Sequence, residues 1–213
     1  MRDFFYINSD GIAQKWARLT DDEIKTQLER LGDNHKGVFQ TIQEFQDKEH
    51  KDLETYDCPF YIDLDGENAI DDIRAIVNYF VDDLGVPEDA ISMAFSGNKG
   101  FHIVTNREVW GAVPNQDLVK QWKSLAHYLK KKLNLSTIDL AVYSKRRMFR
   151  IMNSLHKSGL YKIPIKRKEL FLSIEKIREL AKQPKPVYAI VNSGKEDRAS
   201  KIFELSCSFL RTN

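Results

Sequence analysis

Apolar residues recur along this chain with two periods. Ile70, Ile73, Val77, Phe80 and Leu84 are spaced by three and four, which predicts a helix over about 68–84, closed by Gly85-Val86-Pro87. Leu118, Trp122, Leu125 and Leu129 repeat that spacing within 115–133, and Ile174, Ile177 and Leu180 within 173–182. Thr20-Asp21-Asp22-Glu23 is a capping-box pattern ahead of a stripe at Ile24, Leu28 and Leu31, with Gly32 as the stop. Alternation of period two predicts strands at 60–64, at Ile91-Met93-Phe95, and from Phe101 through Ile103. Gly37 to Phe45 reads as a strand from its β-branched and aromatic content, and 138–142 as a short apolar strand carrying Asp139. Residues 1–19 mix aromatic and polar positions around a turn signal at Asp10-Gly11, 46–55 form a charged connector, and the last thirty residues are weakly patterned. Strands and helices interleave, so the expected class is mixed α/β (α+β).

Composition narrows the function classes. The 213 residues carry 33 basic and 31 acidic side chains, a net charge of +2 and a pI near 8.4. A passive nucleic-acid coat is more basic, so attraction to a polyanion must come from local clusters. Cys58 and Cys207 belong to no zinc-ligand pattern, so no zinc is expected, and two unpatterned cysteines suit a reducing cytoplasm. No apolar run reaches membrane-spanning length, and the N-terminus lacks the apolar core of a signal peptide. The expectation is a cytoplasmic or nucleoid-associated protein with no membrane partner.

Three stretches carry chemistry. In Tyr61-Ile62-Asp63-Leu64-Asp65-Gly66, strand alternation turns Ile62 and Leu64 one way and Tyr61, Asp63 and Asp65 the other. Adjacent carboxylates repel unless a cation lies between them, and hard divalent cations favour such oxygen ligands. Ser96-Gly97-Asn98-Lys99-Gly100-Phe101-His102 joins two predicted strands. Its glycines free backbone N–H groups to face an anion, and its hydroxyl, ammonium and imidazole suit a triphosphate; read alone, it is a hairpin turn. It is not a P-loop. Asp139 interrupts an apolar run, and Arg150, Ser154, His156 and Lys157 follow with further phosphate-binding groups. Basic clusters at Lys145-Arg146-Arg147 and Lys166-Arg167-Lys168 are candidates for a template path. The lysines of 115–133 (Lys120, Lys123, Lys130, Lys131, Lys132) read first as a solvated face.

In order, these motifs are hydrophobic-Asp-x-Asp, Ser-Gly-x-Lys-Gly-x-His, and a strand aspartate followed by Arg-x-x-x-Ser-x-His-x-Ser-Gly. This arrangement resembles the archaeo-eukaryotic primase superfamily over residues 57–165. The resemblance implies a catalytic core with a mixed α/β N-terminal lobe and an RRM-like sheet that carries a metal triad. It implies one catalytic domain over 1–213 (1–56, the motif-bearing 57–165, and a helical or irregular 166–213), complete or cut from a longer protein.

It also implies roles: Asp63, Asp65 and Asp139 as catalytic ligands of two divalent ions, Mg²⁺ or Mn²⁺. Ser96, Gly97, Asn98, Lys99, His102, Arg150, Ser154, His156 and Lys157 would hold the incoming NTP or dNTP. Single-stranded DNA is the implied template, with a helicase, ligase or nuclease as partner or fused domain. Two departures stand out. Asn98-Lys99 replaces the arginine pair of eukaryotic-type small subunits, and Lys157 follows His156 directly where many relatives have a residue between.

The expected activity is templated nucleotide transfer, as a primase or primase-polymerase. The alternatives are a gap-filling or end-joining polymerase without de novo priming, a non-catalytic replication or repair module, and a haloacid-dehalogenase-type phosphatase with Asp63 as nucleophile and Asp65 as acid/base.

Overall fold

The computed structural model describes residues 1–32, 34–45 and 55–208, and of Lys15 only the backbone. The charged connector, apart from Thr55, lies outside the described residues. Two four-stranded antiparallel sheets organise the rest.

The N-terminal sheet has the order β2-β1-β3-β7, from β1 (Arg2–Ile7), β2 (Ala13–Leu19), β3 (Gly37–Thr41) and β7 (Met148–Arg150). Helix α1 (Asp21–Leu31) starts with the expected capping box: Thr20 accepts from the Glu23 N–H, and Glu23 accepts from the Thr20 N–H. Its Ile24 packs with Phe4, Leu19 and Val38 in a small core on one face of this sheet. The strand expected to run to Phe45 stops at Thr41, where the chain bends so that Ile42 meets Arg147 and Glu44 bridges Asp57.

The second sheet has the order β4-β6-β5-β8, from β4 (Phe60–Leu64), β5 (Ile91–Phe95), β6 (Phe101–Thr105) and β8 (Ile163–Pro164). Proline cannot donate to a ladder, and Pro164 lies in the edge strand. Phe60, Ile62, Leu64, Phe101, Ile103, Met93 and Phe95 turn one way, onto helices α2 (Ala69–Asn78) and α3 (Leu118–Lys132). The α3 residues Leu118, Trp122, Leu125 and Leu129 are fully buried there, as their spacing predicts. Helix α2 does not run regularly to Leu84: it widens into a π turn at Tyr79–Asp83, where the Leu84 N–H reaches back to the Tyr79 carbonyl. That added residue lets both Tyr79 and Phe80 face the core.

After helix α4 (Ile174–Leu180), the chain is extended and then forms α5 (Asp197–Ser208), which packs on α3 through Phe203 and Trp122. Leu180, expected inward, is 37% exposed because α4 ends there, one turn beyond buried Ile177. No helix among the described residues is long and apolar enough to cross a membrane.

Candidate active site

The other face of the second sheet carries the chemistry. Register places Asp63 on β4 directly opposite His102 on β6, with Ala94 next in the same row. Tyr61 shares this face but is wholly buried, stacked on Tyr143 and edge-on to Phe149. The expected strand at 138–142 is a single bridge, Leu64 to Ile138, followed by a 3-10 turn over Leu140–Val142. The turn forms because Asp139 caps it, accepting from the Ala141 N–H at 2.8 Å. One bridge is enough to align the chains. Asp65 donates its N–H to Thr137 O and Asp139 donates to Asp63 O, each at 3.0 Å, so Asp139 comes to lie beside Asp63.

Asp63, Asp65 and Asp139 line one cavity of about 400 Å³ together with Ser96, Asn98, Lys99, His102, Arg150, His156 and Lys157. Phe39, Arg147, Met148 and Phe149, from the N-terminal sheet and its approach, close the opposite wall. The cleft is thus built between the two sheets, and residues far apart in sequence converge in it.

Burial, repulsion by Asp139 and repulsion by Asp65 push the Asp63 carboxyl up to about 6, against the opposing pull of Arg147. Its nearest nitrogen partners are not close: the Arg147 guanidinium Nη2 is at 3.4 Å and the His102 ring Nε2 at 3.6 Å. Asp65 faces Lys99 Nζ at 3.8 Å. Among the described residues no group of three or more His, Cys, Asp or Glu side chains is drawn together around a metal position. The donor set nevertheless suits a hard dication: three carboxylates share one cavity, and Asp63 and Asp65 commit no oxygen to a short hydrogen bond.

The basic wall is short of partners. His102 Nδ1 and Arg147 Nε are buried without a hydrogen bond. Burial, with Lys162, Arg147 and Arg150 nearby, holds His102 well below the usual imidazole range, so it is neutral at pH 7. Burial lowers Arg150 to about 10, which leaves it charged, and its Nη1 donates to Leu155 O at 2.7 Å. The Ser158 N–H donates to His156 Nδ1 at 3.0 Å, so neutral His156 carries its proton on Nε2.

The loop glycines bring chain segments together. A Cβ on Gly100 would come within 2.5 Å of Leu64 O, and one on Gly97 within 2.8 Å of His156 Cβ. Ser158 Oγ donates to Gly97 O and ties this loop to the one carrying His156.

Two expected residues stand apart. Ser154 is buried and gives its hydroxyl to Ile151 O at 2.8 Å, and Gly97 supports the wall without lining it. Of the first basic cluster, Arg147 enters the cavity while Lys145 and Arg146 are exposed. In the second, Arg167 is paired with Asp82 and Asn78 beside α2, behind the sheet; Lys166 covers the Tyr188 ring, and Lys168 is exposed. Sequence reasoning missed Lys162, which is buried with its Nζ on Arg150 O at 2.7 Å. It also missed Phe39, Phe149 and Asp72. Asp72 holds the segment before Asp139, and its acidic type next to a helix start was the available signal.

Solved structures of other proteins share this arrangement of elements. The polymerase domain of Mycobacterium tuberculosis Ligase D, in complex with DNA, aligns at a TM-score of 0.55 and 15% identity, over 84% of this chain and 80% of that one. The fold is archaeo-eukaryotic-primase-like. Primase RepB′ aligns at a TM-score of 0.50 and 12% identity, over 99% of this chain, which spans 58% of the RepB′ chain. No protein-family model and no curated protein matches the sequence. The primase-like fold was therefore legible in three short motifs where overall similarity was too low to detect.

Proposed function

We propose that this chain is a template-directed nucleotidyltransferase that adds NTPs or dNTPs to a growing strand. The observation that carries the reading is the register of Leu64 with Ile138: it sets Asp139 beside Asp63 in the cavity that the phosphate-binding motif also lines. In this reading Asp63, Asp65 and Asp139 hold two divalent cations, Mg²⁺ or Mn²⁺. Ions held there would supply Lewis-acid activation of a 3′-hydroxyl and charge neutralisation of the departing phosphates.

The protein's own groups do the rest. Lys99, Lys157 and Arg150 supply positive charge to the triphosphate, with Ser96 and Asn98 as neutral partners. His156 offers its Nε2 proton. Neutral His102 lines the cavity beside Asp63 and offers a polar ring edge without adding charge. Arg147, 3.4 Å from Asp63 on the cavity wall, would add a further guanidinium toward the triphosphate. Exposed Lys145 and Arg146 directly precede Arg147 in the chain and guide a single-stranded DNA template. Lys168 lies on the far side of the second sheet and contributes less.

The antiparallel sheet and primase-like fold give the phosphatase alternative no support. The remaining choice is between de novo priming and extension of an existing end. Incubation with single-stranded template, labelled ribo- and deoxyribonucleotides and Mg²⁺ or Mn²⁺ decides it. Products without a primer establish a primase, and products only with a primer establish a gap-filling or end-joining polymerase. DNA binding without any product would favour the non-catalytic module.

A further inference from the structure

The open face of the N-terminal sheet carries an aromatic row that the reading above does not use. Register aligns Phe5 on β1 with Phe39 on β3, and Phe39 with Arg150 on β7. The rings of Phe5 and Phe39 stack at 4.7 Å and 6°, and the Arg150 guanidinium lies 4.7 Å from the Phe39 centroid. At the other end the β1–β2 register slips between Phe4 and Tyr6, so that two β2 positions, 15 and 16, stand opposite Phe5 along the backbone. A bulge of this kind re-aims a side chain. Here it lays the Trp16 indole on Phe5 at 4.3 Å and 15°. Among the described residues no ring covers the outer face of Trp16, which sits on the edge strand and is 65% exposed.

We propose that the row Trp16–Phe5–Phe39–Arg150 is a stacking platform for single-stranded nucleic acid, with an unpaired base on Trp16. The proposal rests on the nucleotidyltransferase reading for the identity of its ligand. Three observations favour nucleic acid as the occupant. The inner end of the row, Phe39 and Arg150, lines the candidate active site, so the platform continues it. The row ends in a guanidinium, and exposed Arg146 borders the same sheet over Phe45. Each inner ring face already meets its neighbour in the row, so the outer face of Trp16 is where one further base would continue the stack. Aromatic faces bind bases of any sequence, as a template site requires.

The chain contains three tryptophans, and Trp110 and Trp122 are fully buried, so Trp16 is the exposed reporter. An eight-nucleotide single strand is titrated in EDTA, without nucleotide or metal, while tryptophan fluorescence and affinity are followed. Quenching is expected, with about ten-fold weaker binding for Trp16→Ala and near-normal binding for Trp16→Phe. An abasic strand of equal length should bind as weakly to the native protein as the normal strand binds to Trp16→Ala. Unchanged affinity of Trp16→Ala, equal binding of the abasic strand, or no binding by the native protein would each overturn the proposal. So would a dimer, seen by sedimentation, that Trp16→Ala dissolves while oligonucleotide affinity stays the same. Quenching in a protein that synthesises nothing would remove the catalytic reading and leave the platform standing. Synthesis with unaltered binding by Trp16→Ala would do the reverse.

Discussion

One carboxylate oxygen of Asp72 accepts both the backbone N–H and the hydroxyl of Thr137, each at 2.7 Å. The same oxygen accepts the Ser136 N–H at 2.9 Å. Asp72 lies in the first turn of α2, where the helix dipole favours a negative charge, and it is 8% exposed. The next residues bridge β4 and deliver Asp139. Asp72 is thus a positioning residue for the third carboxylate.

Replacing Asp72 by alanine leaves buried donors unpaired and should lower stability by about 2–4 kcal/mol. Synthesis should fall at least ten-fold through kcat, with little change in the nucleotide KM. Asp72→Asn, which keeps one acceptor, should recover part of both losses. Denaturant melts and steady-state kinetics measure the two effects, and a purely structural role would leave kcat intact in the folded fraction.

Gly100 is fixed by contact more than by conformation. A Cβ there would overlap Leu64 O, next to Asp65, so Gly100→Ala should push the Ser96–Gly100 loop off β4. Triphosphate affinity is expected to drop about ten-fold or more by calorimetry. Gly85, at φ +76° with nothing within 4 Å of an added Cβ, is the control. Gly85→Ala should cost about 1 kcal/mol of stability through backbone strain and leave affinity unchanged.

Lys162 makes stability depend on pH. Burial lowers its ammonium to about 7, while an unfolded lysine titrates near 10.4. Below pH 7 both states are protonated and the folded chain carries the full cost of a buried charge. From pH 7 to about 10.4 the unfolded chain holds the extra proton, so stability rises with pH across that window. Lys162→Met should therefore melt higher than the native protein at pH 6, and its advantage should shrink by pH 9.5. Melting curves of both proteins at the two pH values check this.

Much of this was written in the sequence. The β4 alternation placed Asp63 and Asp65 on one face, and the α3 spacing identified the residues that are buried. What escaped did so for physical reasons. In the β1–β2 hairpin both faces carry aromatics, Phe4 toward α1 and Phe5 in the stacked row, so no period-two signal remains. Helix α5 buries Ala199, Ser200 and Ser206 beside Phe203, and small residues leave a faint stripe. Strand β7 hides in a basic run that reads as surface, so Arg147 reads as a template contact and not as a neighbour of Asp63. Ser154 has the right residue type, but its hydroxyl serves the local backbone. Lys162 has no sequence signature, because burial of a lysine depends on which strands surround it.

The central claim is that the three carboxylates and the basic wall form one metal-dependent transfer site. The most direct test is labelled-nucleotide incorporation on a single-stranded template, with and without primer, by the native protein and by Asp63→Ala, Asp65→Ala and Asp139→Ala. Each variant is checked for folding by circular dichroism. The expected result is Mg²⁺- or Mn²⁺-dependent synthesis by the native protein and a loss of at least a thousand-fold in each folded variant, in line with the charge stabilisation such sites provide. Undiminished synthesis in any one of the three, or none by the native protein under either condition, would contradict the account.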